Sequence, residues 1–299
     1  MSATIDKQGR KKGESAPSPA EDLKRYLDEH ARKHGVSDCD VCHGLGVIFD
    51  PFGGGSRNGA FCICECLKSE CRCGGEAPYE VYDEQRNCLV PCVDRGARIA
   101  VGKLERLSER SGIPSRFRHK FITSVDLRDA GSSLVQALSE ATHTIVDFGK
   151  GVHRGVYFFG GTGCGKTLLS CIILNEILRL YQKDVRYAKI NRDILERLRS
   201  SFNPASESYG AGRRIEEELG RVPALVIDDF GTHRETDWVR SVLYDLIDNR
   251  YEQQRLTIIT SNEPLDSWKE LAGGRVYSRL REMCTEVRID APDFRLSHG

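Results

Sequence analysis

The stretch FFGGTGCGKTLL, Phe158 to Leu169, constrains the fold more than any other part of the sequence. It predicts an apolar strand, a glycine turn and a helix in direct succession. Gly160, Gly161, Thr162, Gly163, Cys164, Gly165, Lys166 and Thr167 satisfy the pattern GxxxxGK[ST]. Glycines there let backbone N–H groups turn inward around phosphates, and the following helix adds its N-terminal partial positive charge. In such a loop Lys166 reaches the β- and γ-phosphates of ATP, and the Thr167 hydroxyl ligates Mg²⁺. The bland alternative is a tight glycine turn with no ligand. The strand before it and the helix after it weigh against that alternative.

Two further strand ends carry polar groups of the right kind. In ALVIDDF a predicted buried strand stops at two carboxylates. One can hold Mg²⁺ through water while its neighbour activates an attacking water. By position Asp228 is the metal partner and Asp229 the base. Asp is one methylene shorter than Glu, which predicts slow turnover. A plain strand-end turn is the competing reading. In TIITSN the strand ends at Asn262, which could hold the attacking water, although an Asn before Glu-Pro is also a common turn residue.

From about residue 114 the chain alternates apolar strands with amphipathic helices. GVYFFG, VRYAKI, PALVIDDF, LTIITSN and TEVRID are the candidate strands. Near-continuous apolar runs of this kind suit parallel strands buried on both faces. The helix near 236–252 puts Val239, Val242, Leu243, Leu246 and Ile247 on one stripe. The expected fold class is therefore α/β, with a parallel sheet.

The N-terminal third is different. Of twelve cysteines, nine lie between Cys39 and Cys92. No apolar h-region opens the chain, and no apolar run approaches a membrane span. A cytoplasmic protein with reduced thiols is expected, so the cysteines argue for metal or plain burial over disulfides. CDVCHGLGV offers Cys39 and Cys42 as a knuckle with Gly44 and Gly46 behind it, a spacing that suits tetrahedral Zn²⁺. Cys88 and Cys92 are the first choice of partner pair. The inner cluster Cys62, Cys64, Cys66, Cys71 and Cys73 offers a second site or the missing pair. An iron–sulfur cluster lacks the usual spacing, and unmetallated thiols remain an alternative. His43 reads as a surface residue beside the knuckle.

The expected organisation is a disordered tail (1–17), a helix (18–36), a cysteine-rich zinc-binding module (37–97), a linker helix (98–113) and an ATPase domain (114–299). Ser18 and Glu21 form a capping box for the first helix, which puts Leu23, Tyr26, Leu27 and Ala31 on one face. Lys plus Arg (44) balance Asp plus Glu (44), so any contact with nucleic acid must come from local patches. Two candidates are RFRHKF (Arg116, Phe117, Arg118, Lys120, Phe121) and the group Lys189, Arg192, Arg197, Arg199. Each is equally readable as solvated surface or ATPase packing.

In this order and spacing, GGTGCGKT, VIDDFG, ITSN and GGRVYSRLREM resemble the AAA+ ATPases of the DnaC/DnaI helicase-loader and IstB transposition-helper group. RSGIPSRFRHKFITSVD looks like that group's entry into the ATPase domain, and the cysteine region is loosely similar to the zinc-binding N-terminal part of loader-type members, where Cys88 and Cys92 would close a zinc ribbon. The resemblance implies a P-loop AAA+ domain with a short C-terminal end behind a small zinc-ribbon-like module. It implies assembly into a ring or spiral in which Arg275 and Arg279, four apart on one helix face, meet the ATP of a neighbouring copy. A solvated basic face or a local ion pair is the other reading of those arginines. The tail APDFRLSHG is too short for a helical lid, and Arg295 is a weak substitute for a lid-borne sensor.

Three functions fit this resemblance. A helicase loader would bind ATP and single-stranded DNA and deliver a replicative DNA helicase. A transposition helper would recruit a transposase. A zinc-organised adaptor would use ATP as a switch. The cysteine module favours the first over the second.

Overall fold

Polar punctuation sets the first elements. Helix α1 (Pro19–His30) begins at a reciprocal capping box: the Ser18 N–H donates to Glu21 Oε2 at 2.6 Å and the Glu21 N–H to Ser18 Oγ at 3.3 Å. The computed structural model describes residues 18–30, 34–35, 39–52, 59–125, 131–207, 209–232 and 236–294. The expected tail (1–17), Ala31, the side chain of Leu27 and Arg295 lie outside them.

The cysteine region builds two small antiparallel ribbons. Strand β1 (Val47–Asp50) pairs with β2 (Ala60–Ile63), and a single helical turn, α2 (Glu65–Lys68), follows. Strand β3 (Glu80–Asp83) pairs with β4 (Cys88–Pro91). Helix α3 (Arg95–Arg110) then buries Ala97, Ala100, Leu104 and Leu107. It runs from the second ribbon to the edge of the main sheet, where the Tyr187 N–H donates to O of Ser111, just past the helix end, at 2.8 Å.

The second part of the chain is doubly wound. Its elements are α4 (Ser132–Gly149), β5 (Gly155–Gly160), α5 (Lys166–Tyr181), β6 (Val185–Lys189), α6 (Arg197–Ser201), α7 (Gly212–Arg221), β7 (Ala224–Phe230), α8 (Asp237–Glu252), β8 (Leu256–Ser261), α9 (Arg275–Met283) and β9 (Cys284–Ile289). The five strands form one parallel sheet in the order β6-β7-β8-β5-β9. The strand VRYAKI stops at Lys189, and Ile190–Glu196 winds on as a π-helical turn.

Side-chain alternation along the strands divides the core in two. Val156, Phe158, Val226, Ile258 and Val287 face the layer of α3, α4 and α5. Tyr157, Leu225, Ile227 and Ile259 face the layer of α7, α8 and α9, where Val239, Leu243, Leu246 and Ile247 of α8 supply the expected stripe. Helix α1 packs on α4 and buries Leu23 and Tyr26. Arg250 is fully buried on the second side. It donates to the carbonyls of Leu219 (2.7 Å), Val222 (3.0 Å) and Leu256 (2.6 Å) and to Thr257 Oγ1 (2.9 Å). Burial lowers its pKa to about 9. It ties the end of α7 to the start of β8.

Candidate functional site

Parallel neighbours end at the same edge, and this brings the three polar motifs together. Strand β8 lies between β7 and β5, with Ser261 level with both Phe159 and Phe230. The glycine loop after β5, the aspartates of β7 and Asn262 after β8 therefore meet at one rim.

The loop from Gly160 to Thr167 turns through φ values of 148° at Gly160, 72° at Gly163 and 101° at Gly165. Only glycine holds these without strain. Gly165 caps α5, a helix of 16 residues whose first-turn N–H groups have no side-chain cap, so they point into the loop with the helix dipole behind them. Lys166 Nζ is held within the loop by Gly160 O (2.9 Å) and Gly161 O (2.6 Å). This inward cation over a ring of amides fits a polyphosphate. The tail after β9 crosses the same loop. Phe294 N–H donates to Gly163 O at 3.2 Å, and a Cβ at position 163 would lie 1.7 Å from Asp293 Oδ1.

Asp228 is the hub. It is completely buried, yet accepts from three hydroxyls. Thr167 Oγ1 donates to its Oδ1 at 2.9 Å, Thr260 Oγ1 to the same oxygen at 2.7 Å, and Tyr187 OH to Oδ2 at 2.5 Å. Burial, then the adjacent carboxylate, push the Tyr187 phenol upward, so it stays a donor. A threonine hydroxyl beside a carboxylate is an all-oxygen donor set that fits Mg²⁺. Asp229, next along a bulged strand, has φ 61° and points outward. Its N–H donates to Thr260 Oγ1 at 3.0 Å, and its carboxylate accepts from Lys189 Nζ at 3.2 Å. Thr260 and Tyr187 were not anticipated as parts of this site. The signal for Thr260 in the sequence is the polar tip of an otherwise apolar strand, whereas Tyr187 lies in the middle of β6. Lys189, grouped with a DNA patch, is here an ion partner of the aspartates. Asn262 is exposed at the rim.

Arg275 and Arg279 both lie on α9, as expected. Arg279 pairs with Asp248 and donates to Tyr244 OH at 3.3 Å. Arg275 is the more exposed, with its guanidinium 5.4 Å from the Tyr244 ring centre.

The cysteines sort into two groups. Cys39 and Cys42 meet Cys64 and Cys66, not the expected Cys88 and Cys92. The Sγ atoms of Cys39 and Cys64 are 3.6 Å apart and those of Cys42 and Cys66 3.7 Å. Tetrahedral zinc with Zn–S of ~2.3 Å requires sulfurs about 3.8 Å apart, so the group fits zinc. Gly46, φ 72°, turns the knuckle, and its N–H lies so close to Gly35 that a Cβ there would meet it at 2.8 Å. The reason for the correction is topological. The β1–β2 ribbon brings CxC to CxxC, whereas Cys88 begins β4 in the separate β3–β4 ribbon, where it is exposed. Cys62 belongs to neither group, and Cys92 belongs to the second, with Cys71, Cys73 and Asp94.

Three arginines of the second basic group have partners within the chain. Arg192 pairs with Asp193 (2.7 Å), Arg197 with Glu218 (3.6 Å), and Arg199 lies over Trp238 (5.4 Å). In RFRHKF, the carbonyls of Phe117 and Lys120 accept from Asn175 Nδ2, both at 2.8 Å. His119 within it stacks on Phe49 at 4.0 Å, which docks the first ribbon on the ATPase part. No helix among the described residues is long and apolar enough to cross a membrane.

Comparison with known proteins agrees with this geometry. The family model described as IstB-like ATP binding protein matches residues 111–298. The replicative helicase loader DnaC of Escherichia coli (strain K12) is 28% identical over 179 residues, 60% of this chain and 70% of that protein. The replicative helicase loader DnaI of Bacillus subtilis (strain 168) is 26% identical over 189 residues, 57% of each. A crystal structure of the DnaC helicase loader superposes with a TM-score of 0.51 at 23% identity, over 59% of this chain and 100% of that one. At that identity the likeness speaks for the fold, a P-loop AAA+ domain. Residues 39–94, with all nine clustered cysteines, lie outside the matched range. Because that range takes in more than half the chain and contains the phosphate loop, both aspartates and both arginines, the protein belongs to the IstB-like ATP-binding protein family.

Proposed function

We propose that this protein is a magnesium-dependent ATPase that loads a replicative helicase onto single-stranded DNA. The observation that carries the ATPase reading is the bond between Thr167 and Asp228, 2.9 Å long, at the mouth of the glycine loop. Those two groups would hold Mg²⁺, with Lys166 and the loop amides on the phosphates of ATP. Bound Mg²⁺ supplies charge neutralisation at the β- and γ-phosphates. Asp229 is the base that receives the proton of the attacking water, and Asn262 orients that water. Arg275 reaches the γ-phosphate of a neighbouring copy in a ring or spiral, while Arg279 is anchored to Asp248 and positions α9. Zinc on Cys39, Cys42, Cys64 and Cys66 organises the surface that grips the helicase. The likeness to two helicase loaders supports that choice of partner.

The ion pair of Asp229 with Lys189 favours one second reading, an adaptor that binds ATP as a switch and hydrolyses it scarcely at all. A transposition helper is the other, supported by the description of the matching family.

Turnover of ATP with Mg²⁺, with and without single-stranded DNA, separates ATPase from switch. Lys166→Ala is expected to abolish ATP binding by calorimetry and ATP-dependent assembly by sedimentation. Wild-type binding retained in that variant would overturn the phosphate assignment. Capture of a replicative helicase by the full chain supports the loader, and capture of a transposase instead would replace it with the helper.

A further inference from the structure

Residues 71–94 present a problem that packing does not solve. Among them only Cys92 and Asp94 are buried. The β3–β4 ribbon exposes Tyr82 (58%) and Leu89 (63%) and fully buries none of its side chains. A lone two-stranded ribbon is at best marginally stable in water, so another force must hold this one.

The two buried residues point at the answer. Asp94 stands at the N-cap of α3, where an aspartate normally accepts from the first-turn N–H groups. It makes no such bond. Its Oδ1 instead faces Cys73 Sγ at 3.7 Å, and Cys73 Sγ lies 3.6 Å from Cys71 Sγ. Ligand atoms of Cys71, Cys73, Cys92 and Asp94 all fall within 4.8 Å of one another. Tetrahedral zinc with Zn–S of ~2.3 Å and Zn–O of ~2.1 Å needs edges of about 3.8 Å between sulfurs and about 3.6 Å from sulfur to oxygen.

The outer contacts agree. Arg98 Nε donates to Asp94 Oδ2 at 2.7 Å, which leaves Oδ1 to face the thiols. The same guanidinium lies 3.9 Å from Cys71 Sγ and 3.4 Å from Gly75 O, and sits over the Tyr79 ring at 5.4 Å. Three thiolates and a carboxylate on zinc leave a double negative charge, and Arg98 offsets half of it. A partly buried arginine that fixes one carboxylate oxygen and approaches a thiolate is the outer partner such a site requires.

We propose that Cys71, Cys73, Cys92 and Asp94 hold a second zinc ion, distinct from the one on Cys39, Cys42, Cys64 and Cys66. Two hooks of equal span, CRC and CVD, form it. The ion ties the loop after α2 to the first turn of α3 and so clamps the β3–β4 ribbon onto the helix that leads to the ATPase domain. This site does not depend on the functional reading above.

The test is metal stoichiometry of the full chain by plasma mass spectrometry, with ATP binding as the check on folding. Two zinc ions per chain are expected, one for each group. The double variant Cys73→Ser/Cys92→Ser and the single variant Asp94→Ala are each expected to lose one ion, while Asp94→Cys keeps both. Cys39→Ser/Cys42→Ser is expected to lose the other. Cobalt substitution of the unaltered chain gives a reading that needs no variant. Its thiolate-to-cobalt absorption is expected to correspond to seven Co–S bonds, four from one group and three from the other. One zinc per chain in the unaltered protein, or absorption equal to four Co–S bonds, would overturn the proposal. So would two zinc ions that survive loss of Cys73 and Cys92.

Discussion

Replacing Thr260 with Val tests the hub at Asp228 without changing the size of the buried side chain. The Thr260 hydroxyl donates to Asp228 Oδ1 at 2.7 Å and accepts the N–H of Asp229 at 3.0 Å. The first bond reaches a charged group and is worth about 1.5–3 kcal/mol, and leaving a buried N–H without a partner costs about 1–3 kcal/mol. Because both bonds share one oxygen they are not additive, and a loss of about 3 kcal/mol is the reasonable sum. Urea unfolding of a domain this size has a slope near ~2–3 kcal/mol per molar, so the midpoint should fall by about 1–1.5 M. Thr260→Ser keeps both bonds and loses one methyl, about 1 kcal/mol, so it should fall by less than half as much. Function should follow. The Asp229 backbone sits at φ 61° and this bond helps to hold it there. If half of the lost energy is felt as the γ-phosphate leaves, turnover falls at least about tenfold. Midpoints that coincide for the Val and Ser variants would refute the argument, since then the hydroxyl, and with it the hub, does nothing.

His119→Ala removes a ring stacked on Phe49 at 4.0 Å and edge-on to Phe61 at 5.4 Å. A loss of about 1 kcal/mol should appear as faster amide exchange across β1 and β2 with ATP affinity unchanged. Arg250→Met leaves the carbonyls of Leu219, Val222 and Leu256 without their donor. Each such carbonyl costs about 1–3 kcal/mol and the costs are not additive, so a destabilisation of about 3–5 kcal/mol is expected from urea midpoints. Ser18→Ala breaks the capping box of α1, and a cost of about 1 kcal/mol should be seen as earlier exchange of α1 amides.

What the sequence determined by itself was local and periodic. The five strands of the parallel sheet were readable as apolar runs, the phosphate loop as glycines at fixed spacing, and the first helix start as a serine three residues from a glutamate. In each case the cause lies within one turn or one strand: φ freedom, alternation, a cap. The tertiary structure decided everything that depends on which distant segments meet. It brought Thr260 and Tyr187 to Asp228, because parallel strands in the order β6-β7-β8-β5 end side by side. It drew Arg197 to Glu218 and Arg199 over Trp238, neighbours that lie far along the chain. It also sorted the cysteines. Spacing alone offers many tetrahedral sets, and only the pairing of β1 with β2 sends Cys39 and Cys42 to Cys64 and Cys66. Asp94 was invisible for a related reason. A carboxylate reads as a ligand only once the fold has buried it among thiols, and burial is a property of the packed chain.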